Sequence, residues 1–385
     1  MNLLIHDLND EEWKELSADY DGWEIVSDNG SIKPCVGCFG CWIKEPGECV
    51  IKDGYEKMGA LIHRADEIKV ISRYTYGGFS SFVKNVFDRS IGWVLPYFEV
   101  YENEMHHKKR YQEDKPITFI FRGEGLTDDD KKKAGVYAEA VCRNLRAYVK
   151  SIMFEEYKEQ ATDTDINKEI RKYKSNPEKT VMLNCSLRGD KANSRKFLDR
   201  LSSNIREDAV IINLSAYLNR KDELMDILGQ SGTIIFSIPL YVDGIPSACL
   251  RVMEEMEKYG FEGNKHIYVV SNMGLYESSQ LKNLMSMVKS WCGKCGFIYG
   301  GGVAIGAGEM IGSVMAATDK GPAKNAADAL DKLADAVNTS AVIEDNYVDP
   351  YRFPRCLYIL AANSGWPKAG KLNGLKKADL LQQKS

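Results

Sequence analysis

The chain has 385 residues, enough for two or three domains at roughly 100–200 residues each. Hydrophobic residues make up 44% and charged residues 28%, a balance that argues against wholesale disorder. Lys plus Arg number 51 against 55 Asp plus Glu, a formal net charge of −4, so charge gives no reason to expect nucleic acid or an anionic membrane as partner. The first residues lack a basic segment, and Asp7, Asp10, Glu11 and Glu12 break their short apolar stretch, so no secretory signal is expected. No apolar run approaches the ~20 residues of a membrane helix. The expected address is the cytoplasm.

In chain order, β-like runs fall at 2–6, 24–27, 68–72 and 117–121, with helical stretches at 54–64, 79–88 and 128–150. The last helix carries Ala134, Tyr137, Ala138, Val141, Leu145 and Val149 near a 3.6-residue period. The order then repeats. Strands are expected at 180–183, 209–214, 233–238, 266–270 and 297–303. Helices are expected at 193–205, 222–228, 246–258, 278–293 and 321–337. Nearly continuous apolar strands alternating with helices predict parallel sheets covered on both faces, one five-stranded doubly wound unit in each half. The boundaries expected are 1–155 for the first domain, 156–178 for a polar linker, 179–340 for the second domain and 341–385 for an irregular tail.

Two loops of the second half suit a phosphorylated, planar ligand. In 184–194, Ser186 and Arg188 precede Asn193-Ser194 at a helix start, where hydroxyls, a guanidinium and the helix N-terminus favour an anion. A helix cap beside a surface Arg explains the same residues. In 237–246, Pro239, Gly244 and Pro246 stiffen a loop that presents Leu240 and Tyr241, a place for a flat heterocycle or an ordinary turn with a half-buried Tyr. A third loop, 271–276, follows the next strand. These loops resemble those of the NADPH-dependent FMN reductase family of flavodoxin-like proteins, with Asn184-Cys185 where that family prefers glycine. By this resemblance the fold is two tandem flavodoxin-like domains. Ser186, Arg188, Asn193 and Ser194 would then hold the FMN phosphate. Pro239, Leu240 and Tyr241 would line the isoalloxazine, and Asn272 with Gly274 its other side.

Ten cysteines occur, and four of them, Cys35, Cys38, Cys41 and Cys49, fall within fifteen residues. Their C-x2-C-x2-C-x7-C spacing is consistent with a [4Fe–4S] cluster, with tetrahedral zinc, or with free and redox-active thiols. The segment also resembles the iron–sulfur flavoproteins, whose cysteines lie between the second strand and the next helix. The stretches 72–79 and 84–89 resemble the same group's third-strand loop and following helix. One departure is clear: the first strand runs into Asp7, Asp10, Glu11 and Glu12, whose carboxylates repel a phosphate. A single flavin in the second half is therefore expected.

Relatives of this group look like dimers with flavins near the subunit interface. The resemblance thus implies an internal pseudo-dimer, or a homodimer, with the cysteine loop and Tyr74 or Tyr76 against the flavin. The expected function is an FMN-dependent oxidoreductase taking electrons from NAD(P)H or a carrier to a small-molecule or protein acceptor. Flavin would do the chemistry, so no catalytic side chain is assigned. The alternatives are a non-catalytic electron carrier or redox sensor, and a cofactor-free interaction protein. Other features read as structure: His106-His107 as a solvated face, Cys292 and Cys295 as helix-end packing, and 300–302 with 306–308 as a glycine-rich loop at the sheet edge.

Overall fold

The computed structural model describes residues 1–157, 175–206, 209–261 and 264–384. The chain divides into two compact units, Met1–Gln160 with Cys356–Ser385, and Ala161–Arg355. Among the described residues no helix is long and apolar enough to cross a membrane.

The first unit opens with β1 (Asn2–His6), α1 (Asp10–Leu16) and β2 (Glu24–Val26). Asn9 and Glu12 cap α1 reciprocally. The short helix α2 (Gly40–Ile43) lies in the cysteine loop, followed by α3 (Met58–Arg64), β3 (Glu67–Arg73) and α4 (Ser81–Asp88). An antiparallel hairpin of β4 (Val94–Tyr101) and β5 (Glu104–Lys109) comes next. The chain then returns to the sheet with β6 (Pro116–Gly123), α5 (Asp128–Leu145) and β7 (Tyr148–Glu156). The sheet order β2-β1-β3-β6-β7 is parallel throughout. With the hairpin set aside, this is the 2-1-3-4-5 order of a flavodoxin-like sheet.

The second unit repeats that order and extends it. Its strands are β8 (Asn176–Asn184), β9 (Val210–Asn213), β10 (Ser231–Pro239), β11 (His266–Asn272), β12 (Ile298–Ile305) and β13 (Asn346–Val348). They lie as β13-β12-β11-β10-β8-β9, all parallel. The helices are α6 (Asn193–Ser202), α7 (Lys221–Gln230), α8 (Ser247–Tyr259), α9 (Lys282–Cys295), α10 (Gly308–Met315) and α11 (Lys324–Asn338). Ile234, Ile235, Phe236 and Ile238 of β10 are completely buried, as expected for a central parallel strand covered on both faces.

Several expectations are corrected. The helix expected at 128–150 stops at Leu145, where Arg146 takes a left-handed φ of 57°, and Tyr148 begins the fifth strand. Val149, expected on the helical stripe, lies instead in β7. The tail 341–385 is not irregular: it contains β13 and a further helix, α12 (Arg355–Lys371). Asn363 of α12 bonds both the amide and carbonyl of Phe98, and Trp366 stands edge-on to Phe39 and Trp42. His106 is no solvated residue. It lies buried on β5, and the ring of His107 packs against Trp42 and Phe98. Gly300 to Gly302 lie inside β12, where a side chain at 300 would overlap the ring of Tyr268, and 306–308 lead into α10. Most of the expected linker, 158–174, falls outside the described residues.

Candidate cofactor site

In the second unit β8 and β10 are neighbours, but the chain leaves β8 for β9 on one side before returning to β10 on the other. This reversal is where open parallel sheets leave a crevice at their C-terminal ends. The loops after β8, β10 and β11 leave adjacent strands at that edge.

The first loop is organised by Asn184 at the end of β8. Its Oδ1 accepts the Ser186 N–H at 3.2 Å, while its Nδ2 donates to Gly189 O at 3.0 Å and Asn213 Oδ1 at 2.8 Å. An Asn bonded to the amide two residues on is a strong local turn former. Ser186 is buried and its Oγ accepts the Arg188 N–H at 3.4 Å, while Arg188 is exposed at the lip of the loop. Asn193 begins α6, and a side chain at Gly312 would come within 2.8 Å of its carboxamide oxygen. Glycine there lets α10 approach the start of α6. Ser194 is buried, and its Oγ accepts from Asn272 Nδ2 at 2.9 Å. The Ser194 carbonyl accepts from Ser237 Oγ at 2.9 Å.

The second loop starts at Pro239, and the Leu240 N–H donates to Asn272 O at 2.8 Å. Tyr241 and Gly244 exchange backbone hydrogen bonds of 3.2 and 3.0 Å. Between them Val242 and Asp243 take φ of 38° and 57°. A β-branched residue there is strained, and such strain persists only where the surroundings over-determine it. Pro239, Leu240 and Tyr241 are half-buried; in the third loop Gly274 is exposed. Asn272 therefore acts on the first loop through Ser194 as well as bordering the second.

The first unit builds the same turn. Thr75 and Gly78 exchange backbone bonds of 2.9 Å around Tyr76 and Gly77, with φ of 53° and 105°. Its first loop differs. Asp7 accepts the Arg73 N–H at 3.0 and 3.2 Å, and burial pushes its carboxyl above the usual range against hydrogen bonds from Ser80 and Arg73. A carboxyl group thus stands after β1 where the second unit has Cys185 and Ser186. Tyr74 donates to the Asp130 carboxylate at 2.7 Å.

The cysteine loop is held by a buried guanidinium. Arg89 Nε donates to Cys49 Sγ at 3.1 Å, and its two NH groups reach the Asp53 carboxylate, each at 2.9 Å. The same groups donate to Lys33 O at 2.8 Å and Ile51 O at 3.0 Å. In α4, Lys84 pairs with Asp88, both fully buried. Cys38 is exposed, Cys35 is half-buried, and Cys41 and Cys49 are buried. Burial pushes the Cys35 thiol up to about 12, with Asp88 and Cys49 adding to the rise, and raises the Cys41 thiol as well. Among the described residues no three His, Cys, Asp or Glu side chains are grouped to hold a metal ion. The expectation of Cys35, Cys38, Cys41 and Cys49 as ligands of iron–sulfur or zinc thus finds no support among the described residues; the Cys38 sulfur accepts the Gly40 N–H at 3.4 Å and the Cys49 sulfur is engaged by Arg89.

Sequence reasoning missed the Arg89–Asp53 pair and the organising role of Asn184. Only Asn184 carried a local signal, as an Asn at a strand end.

No family model matches the chain, and no curated protein matches it. Among solved structures it is similar to an azoreductase from Bacillus anthracis str. Sterne, at 14% identity and a TM-score of 0.32, covering 42% of this chain and 99% of that one. It is likewise similar to an FMN-dependent NADH-azoreductase from Bacillus anthracis str. Ames Ancestor in complex with FMN, at 15% identity and a TM-score of 0.31, with the same coverage.

Proposed function

We propose that the second unit binds FMN and that the chain is an NAD(P)H-dependent flavin oxidoreductase. The observation that carries this reading is the setting of Ser186 and Ser194 around the start of α6, at the crevice between β8 and β10. Two hydroxyls, the Asn193 carboxamide and the Arg188 guanidinium are a donor set for a phosphate monoester, and the N-terminus of a ten-residue helix favours its charge. The donor chemistry fits the group.

Bound FMN supplies hydride and electron transfer. The chain's own residues bind and orient it. Ser186, Asn193 and Ser194 hold the phosphate, and Arg188 closes over it from the exposed lip. The turn 239–244 sets the edge of the ring, its backbone fixed by the Tyr241–Gly244 bonds. The first unit takes no FMN in this reading, because Asp7 stands in its phosphate loop.

The test is to incubate the full chain with FMN, remove free flavin and titrate anaerobically with NADH and with NADPH. Stoichiometric FMN that is bleached within a turnover time supports the enzyme. Bound FMN that neither nucleotide bleaches favours an electron carrier. A chain that retains no FMN overturns the reading.

A further inference from the structure

Behind the first loop lies a pair of thiols that this function does not use. Cys185 follows β8 directly, its N–H fixed to Ser237 O at 2.9 Å, and Cys249 sits in the first turn of α8. Both are buried, and the Cys249 thiol donates to Cys185 Sγ at 3.3 Å. A disulfide bond is roughly 2.0 Å long, so the sulfurs need to close by about 1.3 Å. The two residues are 64 apart in sequence, so the bond would tie the loop bearing Ser186 to the helix that follows the loop bearing Tyr241.

We propose that Cys185 and Cys249 are a redox pair that closes to a disulfide under hydroperoxide and, by moving the phosphate loop, weakens FMN binding. The second half of this statement rests on the FMN reading; the first does not. One thiolate attacks the O–O bond of hydrogen peroxide, giving a sulfenic acid and, with a proton, water. The other sulfur then attacks the sulfenic sulfur, the S–O bond breaks and a second water leaves. Overall, two thiols and one peroxide give one disulfide and two waters. Burial keeps Cys185 a thiol in reducing surroundings, since its ionisation lies well above the ordinary range. Closure therefore answers to sustained oxidation rather than to brief exposure. The cross-link shifts the residue next to Ser186 by an appreciable part of an ångström, enough for a loss of FMN affinity on the order of tenfold.

The experiment treats the full chain with hydrogen peroxide, alkylates it under denaturing conditions and digests it with trypsin. Cleavage places Cys185 in peptide 180–188 and Cys249 in peptide 222–251, each with a single cysteine. The expected product is these two peptides joined, lighter by two hydrogens and separated again by dithiothreitol. It is absent from Cys249→Ala and from Cys185→Ala. Recovery of both peptides only as alkylated or over-oxidised monomers, or joined to other cysteines, overturns the proposal. FMN affinity is then measured on reduced and oxidised protein. A cross-link with unchanged FMN affinity overturns the regulatory half. A cross-link in a protein that binds no FMN in either state leaves the thiol pair standing and removes the flavin reading instead.

Discussion

Asn272 Nδ2 donates to Ser194 Oγ at 2.9 Å, joining the end of β11 to the start of α6 beneath the candidate phosphate loop. The hydroxyl accepts from the amide, so its own proton is directed elsewhere, as a phosphate oxygen requires. Ser194→Ala and Asn272→Ala are each expected to weaken FMN binding by roughly tenfold, about 1.4 kcal/mol. Because both act through one hydroxyl, the double variant should lose little more than either single one. Flavin-fluorescence titration of the four proteins decides this. Fully additive losses would show that Asn272 contacts the flavin independently.

Acid should unfold the first unit before the second. His6, His106 and His107 lie in the first unit, and burial lowers each from 6.5 to about 4. Between those values the unfolded chain holds more protons than the folded one, so stability falls as pH falls. Above about 6.5 none of the three rings costs anything. Each pH unit below that removes about 1.4 kcal/mol per ring, about 3 kcal/mol each by pH 4, and nothing further below it. Trp13, Trp23, Trp42, Trp93 and Trp366 all lie in the first unit and Trp291 in the second, so tryptophan fluorescence reports mainly on the first. Denaturant midpoints at pH 7 and pH 4.5 that coincide would sink the prediction. His106→Leu should remove about a third of the dependence, with His6 and His107 keeping the rest.

Much of the second unit was legible in the sequence because its strands are continuous apolar runs with turn residues between them. Thr233 to Ile238 leaves no other reading when helices flank it. The loop 184–194 was legible for the same reason: its polar residues fall where a strand ends and a helix begins. What stayed hidden depends on distance along the chain. Arg89 and Asp53 are 36 residues apart, and neither position carries a local pattern. The hairpin of β4 and β5 was missed because its inward residues include Met105 and His106, next to a run of charges that reads as surface. The helix α12 has only Tyr358 and Gly370 buried, so it presents no apolar stripe to detect.

Lys265 is another buried titratable group whose lowered pKa makes stability rise with pH, here in the alkaline range and in the second unit. Its Nζ donates to Gly229 O at 2.7 Å and Ser231 O at 2.5 Å, closing the C-terminal end of α7, and burial lowers it from 10.5 to about 8. Between those values the unfolded chain binds more protons, so the second unit should gain stability as pH rises from 8, by about 1.4 kcal/mol per unit. The neutral amine retains two N–H groups for the two carbonyls, so the cap survives deprotonation. Lys265→Met should lower stability by about 1–3 kcal/mol at pH 9, through the two carbonyls left without a donor. It should also abolish the alkaline gain. Thermal melts of the two proteins at pH 7.5 and 9.5 check both parts, and an equal alkaline gain in the variant would refute the assignment.

Arg89, at the C-terminal end of α4, is expected to be the most sensitive support of the cysteine loop. Its side chain is fully buried and the Asp53 carboxylate nearly so, and one guanidinium serves Cys49, Asp53 and two backbone carbonyls. Arg89→Ala leaves a buried carboxylate unpaired, which costs about 3–5 kcal/mol. Arg89→Lys keeps the charge, but an ammonium cannot reproduce the planar fork that meets Asp53 through two nitrogens while Nε holds the sulfur. The Lys variant should therefore recover only part of the stability, and it should free Cys49. Alkylation of Cys49 with iodoacetamide under native conditions, followed by peptide mapping, should accelerate in Arg89→Lys while Cys142, on the buried face of α5, stays protected. An Arg89→Lys protein as stable as the parent, with Cys49 no more reactive, would mean that charge alone holds the loop and the fork contributes nothing.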